Sequence, residues 1–152
     1  MRTVRPATEA DVDALAAMGG RFFAFSPYAR SVPFDPETVR AVLAEAIGTP
    51  HAFVWIAEVD GTIAGALLGV LAPLWFNPDA LVATELAWWI DEEHRGGTLA
   101  LRLHATFEEW ADRAGAASVV MSDLVVPGAK SAGPLLERLG YRLVERTHLK
   151  EL

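Results

Sequence analysis

The stretch ELAWWIDEEHRGGTLALRLHATFEEWA, Glu85 to Ala111, constrains the fold more than any other part of the chain. It reads as a strand, a glycine-containing turn and a helix. Leu81 to Ile90 is an apolar run of strand length. Leu99, Leu103, Phe107, Trp110 and Ala114 then recur at helical spacing, with Arg102, Glu108, Glu109, Asp112 and Arg113 off that stripe. Gly115 ends the helix, and Ala117 to Met121 has the texture of a buried strand. A strand, an amphipathic helix and a second strand in so short a span require a sheet with a helix packed on it.

The remaining elements extend that sheet. Thr3 to Arg5 reads as a short strand. Thr8 with Asp11 forms a capping box for a helix through Val12, Leu15, Met18, Phe22 and Phe23, which the pair Gly19-Gly20 weakens and tends to end early. Asp35-Pro36-Glu37 supplies an N-cap, a first-turn proline and an acid for a second helix, and Gly48 stops it. Ala52 to Val59 and Thr62 to Leu71 flank Asp60-Gly61, a two-residue hairpin turn. Trp75 to Asp79 reads as a loop, Ser131 to Leu139 as a short helix and Tyr141 to Leu149 as a final strand. The expected order is β-α-α-β-β-β-α-β-α-β, an α/β fold with a mixed sheet, in one domain spanning residues 1–152.

With 152 residues, 52% of them hydrophobic, the chain suits one sizeable core. Its formal charge of −7 supplies no broad field for nucleic acid or an anionic membrane. The absence of cysteine excludes disulfides, thiolate nucleophiles and cysteine metal sites. No signal-peptide core opens the chain, and Ile63 to Phe76, interrupted by Gly65, Gly69 and Pro73, is too short to span a bilayer. These features predict a cytoplasmic protein with neither a membrane nor a nucleic-acid partner, and the scattered His51, His94, His104 and His148 provide no metal-ligand spacing or catalytic triad. His104 is expected on the exposed face of its helix.

The turn Arg95-Gly96-Gly97-Thr98 sits where a helix begins. Free N–H groups and the positive end of the helix dipole suit an anion there, and glycines let the backbone approach it. A tight strand-to-helix connection is the plain alternative. No Lys-Ser/Thr follows, as a Walker P-loop requires, and G-x-G-x-x-G is absent.

Strand, turn and helix together resemble motif A of the GNAT acetyltransferases, Q/R-x-x-G-x-G/A. Arg95 matches its first position and Ala100 its last, with Thr98 where glycine is usual. LLERLGYRLVE resembles the family's motif B, and the order of elements is similar too. The resemblance implies a mostly antiparallel sheet with a V-shaped splay where the strand ending at Ile90 parts from the one at Ala117 to Met121. It implies acetyl-CoA as co-substrate, its pantetheine along Trp88, Trp89 and Ile90 and its pyrophosphate on Arg95, Gly96, Gly97, Thr98, Leu99 and Ala100. It further implies direct transfer to an amine acceptor, and dimers occur among such proteins. A non-catalytic acyl-CoA-binding or sensing module on the same fold is the alternative.

An alkyl ammonium, with a pKa of about 10, must lose a proton before it attacks a thioester. Glu85 is the candidate base. Many relatives carry the acid six residues before the position of Ile90, which is Thr84 here. Glu85 lies five before, so strict alternation sends it to the opposite face unless a bulge intervenes. An exposed strand carboxylate is the competing reading. The tyrosine that often protonates the leaving thiolate is replaced by Leu136. Tyr141 takes a position normally used for packing. Tyr28 and Asp123 are candidates for contacting the acceptor, with a loop-capping role the alternative for Asp123.

Overall fold

The computed structural model describes residues 1–152. Strand β1 (Arg2–Pro6) leads to helices α1 (Val12–Phe25) and α2 (Pro36–Ala46), then to strands β2 (Ala52–Val59), β3 (Thr62–Leu74) and β4 (Asn77–Ile90). Helix α3 (Leu99–Arg113), strand β5 (Ser118–Val120) and helix α4 (Gly133–Arg138) follow. The five strands form one sheet in sequence order. Neighbours are antiparallel except β4 and β5, which run parallel.

Local signals account for most boundaries. The Thr8–Asp11 capping box forms, and a short 3₁₀ turn at Glu9–Asp11 precedes α1. Asp35 accepts from the N–H groups of Glu37 and Thr38 and caps α2. Asp60 and Gly61 take φ of 51° and 82°, the left-handed values a two-residue hairpin turn demands. Gly19 and Gly20 do not end α1, which continues to Phe25. A Cβ added at Gly19 or Gly20 would meet the Phe34 ring at 3.9 or 3.4 Å, so the ring covers this stretch of the helix, where each glycine carries a propensity cost of about 1 kcal/mol.

Three expectations are corrected. The loop at Trp75 to Asp79 is a turn of two residues, Trp75 and Phe76, and β4 starts at Asn77 rather than Leu81. Tyr141 to Leu149 is no strand, so the order ends in a helix. Its apolar residues suit a strand, but a strand exists only against a hydrogen-bonding edge, and this segment takes none; Leu143, Val144 and Leu149 are exposed. His104 is buried on α3, only 2% exposed, not on an outer face.

Each face of the sheet carries its own core. On one, α1 and α2 bring Leu15, Ala16, Met18 and Leu43 onto Val54, Ile56 and Ala66. On the other, Leu99, Leu103, Phe107 and Ala111 of α3 cover Phe53, Leu67, Leu71, Ala83 and Ile90. Each large side chain fully buried this way contributes roughly 1.5–3 kcal/mol. No helix is long and apolar enough to cross a membrane.

Candidate functional site

Strands β4 and β5 pair only over Val82–Thr84 and Ser118–Val120. Beyond Thr84, β4 continues to Ile90 with no strand on that side. Glu85 is the first residue past the point of separation. Its Oε2 accepts from the Ser122 N–H at 3.0 Å, reaching across the split to the chain beyond β5.

A β-bulge sets the direction of this side chain. Gly69 pairs with Glu85 and Leu68 with Ala87, so Leu86 has no partner. A residue inserted in this way resets alternation. Glu85 consequently shares the α3 face with Trp88 and Ile90, while Thr84 points to the α1/α2 face. Glu85 is 7% exposed, and burial pushes its carboxyl up to about 7 against the opposing pull of the Ser122 N–H. The expectation of an exposed strand carboxylate does not hold.

The turn before α3 is rich in unused donors. Gly96 has φ of +81°, and no acceptor in the chain pairs with the backbone N–H groups from Gly96 to Leu101. Unlike α2, α3 has no side-chain cap, and no acid stands in its first turn. Three arginines gather there. Arg102 Nη1 donates to the Arg2 carbonyl at 2.8 Å, and a Cβ on Gly97 would lie 2.5 Å from Arg2 Nη1. Arg95 Nε donates to the Ile90 carbonyl at 2.8 Å, with its guanidinium 4.5 Å from the Trp89 ring centre. None of the three pairs with a carboxylate, although the chain has an excess of acids.

The adjacent tryptophans take opposite faces. The Trp89 indole N–H donates to Asp91 at 2.9 Å, and Arg21 grips the same carboxylate with two bonds of 2.9 and 2.7 Å. Burial works against the Asp91 charge, but these donors hold its pKa below the ordinary value. Trp88 packs against His104, with ring centres 5.8 Å apart, and its indole nitrogen is buried without a partner. His104 Nε2 lies 3.0 Å from the Tyr141 hydroxyl, which donates to Glu108 at 2.8 Å. Burial lowers the His104 pKa against the opposing pull of Glu108, and burial with Glu108 raises that of Tyr141.

The structure thus gathers Glu85, Trp88 and Ile90 on one face of β4, with the turn from Arg95 to Ala100 at its end. Tyr28 is 46% exposed in the 3₁₀ turn at Pro27–Arg30. Asp123 accepts from the Ser131 hydroxyl and the Ala132 N–H at the start of α4. Leu136 is buried. Sequence reasoning missed Arg2, the Arg21–Asp91 pair and the His104–Tyr141–Glu108 cluster. Each joins residues far apart in the chain, and only the helical spacing of His104 and Glu108 left a local signal.

A family model described as the acetyltransferase (GNAT) family matches residues 21–141. No curated protein matches the chain in sequence. Among solved structures, a transcriptional regulator from Bacillus halodurans C-125 superposes with a TM-score of 0.79 at 18% identity, covering 100% of both chains. A protein from Clostridium acetobutylicum described as a predicted acetyltransferase, solved with acetyl-CoA, gives 0.77 at 14% identity over 99% of this chain and 96% of the other. A ribosomal-protein-alanine N-acetyltransferase from Brucella melitensis biovar Abortus 2308 gives 0.73 at 13% identity, over 100% and 99%. At these identities the likeness is one of fold.

Proposed function

The chain belongs to the GNAT family of acetyltransferases, and from that premise we propose that it carries the acetyl group of acetyl-CoA directly to an amine held at the split between β4 and β5. The observation that carries the reading is the row of unpartnered N–H groups from Gly96 to Leu101, ringed by Arg2, Arg95 and Arg102. A pyrophosphate offers acceptors that match such donors, and the helix dipole favours its charge. The open edge of β4 from Glu85 to Ile90 offers further backbone groups to the amides of pantetheine. The relative from Clostridium acetobutylicum, of the same fold, was solved with acetyl-CoA.

The thioester supplies an activated carbonyl and a thiolate leaving group. Glu85 takes a proton from the acceptor ammonium, directly or through water, and a carboxyl with a pKa of about 7 is suited to that work near neutrality. The amine nitrogen then bonds to the acetyl carbon, gives up its second proton to solvent as the carbon–sulfur bond breaks, and the thiolate takes a proton from solvent. Leu136 has no proton to give. The Ser122 N–H holds the ionised carboxylate in place.

Leu136 also favours a second reading, a module that binds acyl-CoA without turning it over. Calorimetry with acetyl-CoA tests the shared premise, and no heat at millimolar ligand overturns both readings. Release of free CoA in step with an acetylated amine then separates them, since a binding module releases none.

A further inference from the structure

A cavity of about 170 Å³ lies between α1, α2 and the sheet, on the face opposite α3. Met18 and Phe22 of α1, Val39 of α2, Leu68 of β3, and Ala87 and Trp89 of β4 enclose it. Val42 of α2, 56% exposed, stands at its rim, so the entrance faces solvent. Glu85 and Trp88 lie on the other face of the sheet, and the cavity is no part of the acetyl-transfer site.

No side-chain polar atom is free inside. Thr38 alone among the lining residues carries a hydroxyl, and it donates to Asp35 at 2.6 Å. The Trp89 indole N–H is committed to Asp91. A cavity so lined gives water no partners, and one of roughly 150 Å³ with apolar walls takes benzene. A charged or amide-bearing ligand would lose its hydration without compensation. Phe22 and Trp89 present rings to the space, which favours an aromatic occupant over an alkane.

One indole joins this cavity to the turn before α3. Trp89 forms part of the wall, its ring 5.8 Å from that of Phe22. The guanidinium of Arg95, which opens the turn, lies 4.5 Å from the centre of the same indole. Asp91 takes the indole N–H together with two bonds from Arg21, the neighbour of Phe22 on α1. An empty cavity leaves Phe22 and Trp89 without packing on that side, and an occupant supplies it. We propose that the cavity is an effector site for one small uncharged arene, and that filling it holds Trp89 beneath Arg95 and so strengthens acetyl-CoA binding at the turn. The coupling, though not the site itself, rests on the acetyl-CoA reading above.

Toluene, added without acetyl-CoA, should shift the backbone resonances of Met18, Val39 and Ala87, and no shift overturns the site. Calorimetry in toluene-saturated buffer should then lower the Kd of acetyl-CoA roughly fivefold or more, and acetyl-CoA should tighten toluene by the same factor. An unchanged or raised Kd overturns the coupling. Ala87→Phe, which fills the cavity, should lose the shifts and bind acetyl-CoA as the parent does in toluene. If that variant does not fold, Arg95→Ala carries the test. It should keep the toluene shifts while its acetyl-CoA affinity no longer responds to toluene, and a response as large as the parent's overturns the route through Arg95. Toluene binding with no heat from acetyl-CoA overturns the acetyl-CoA reading, and the coupling falls with it while the site stands.

Discussion

Glu85 is a carboxyl group with one N–H donor and little access to water, and both its roles follow from that setting. Its ordinary pKa of 4.5 is raised to about 7, so the folded state holds a proton that the unfolded chain has lost. Stability contributed by this residue is complete below pH 4.5 and declines as pH rises toward 7, by on the order of 3 kcal/mol. Glu85→Gln keeps an acceptor for Ser122 without the charge. It should melt above the parent at pH 8 and close to it at pH 4, as thermal unfolding across pH would record. If Glu85 is the base, kcat/KM of the parent rises with pH and flattens above about 7. The variant should lose roughly 10²–10⁴ in kcat while acetyl-CoA affinity, read by calorimetry, is unchanged. A variant with the parent's rate and pH profile would remove Glu85 from the chemistry.

At the scale of elements, the N-terminus of α3 is built differently from that of α2. Helix α2 satisfies its first N–H groups with Asp35, whereas α3 leaves its own unpaired and surrounds them with cations. Arg2→Ala should weaken acetyl-CoA binding roughly three- to tenfold at low salt, and the gap to the parent should shrink as salt screens the exposed charge. Titrations at two ionic strengths would measure both. The other end of the story is the segment after α4, which has no strand partner and is tied to α3 through Tyr141. Tyr141→Phe removes the hydroxyl beside the buried His104 Nε2, leaving it only Glu108 at 3.5 Å, and should cost about 1–3 kcal/mol in urea unfolding. Amide exchange should rise from Tyr141 onward more than in the sheet.

For the whole molecule, the controlling feature is that α3 presses close to the sheet while β5 lets β4 go after three residues. Close approach depends on Gly69, where an added Cβ would lie 2.5 Å from Phe107 Cε2. Phe107 is fully buried and has no room to retreat. Gly69→Ala should destabilise by about 1–3 kcal/mol, seen as a lower urea midpoint with an unchanged slope. Because Gly69 pairs with Glu85, the same variant disturbs the carboxylate and should lower its apparent pKa by admitting water.

Sequence alone determined what depends on neighbours in the chain: the Asp60-Gly61 hairpin, the Asp35 cap, the apolar stripe of α3 and the glycine turn that opens it. It extended to the family and the mixed sheet, because motif and element order are linear features. The direction of Glu85 lay beyond it, since alternation points one way and the unpaired Leu86 reverses it, and a bulge follows from how two strands are held together. His104 looked polar and outward because helical periodicity cannot register the Tyr141 hydroxyl that accompanies it into the interior. The missing last strand has the same cause. Apolar alternation gives a segment strand propensity, but only the finished sheet decides whether an edge is there to receive it.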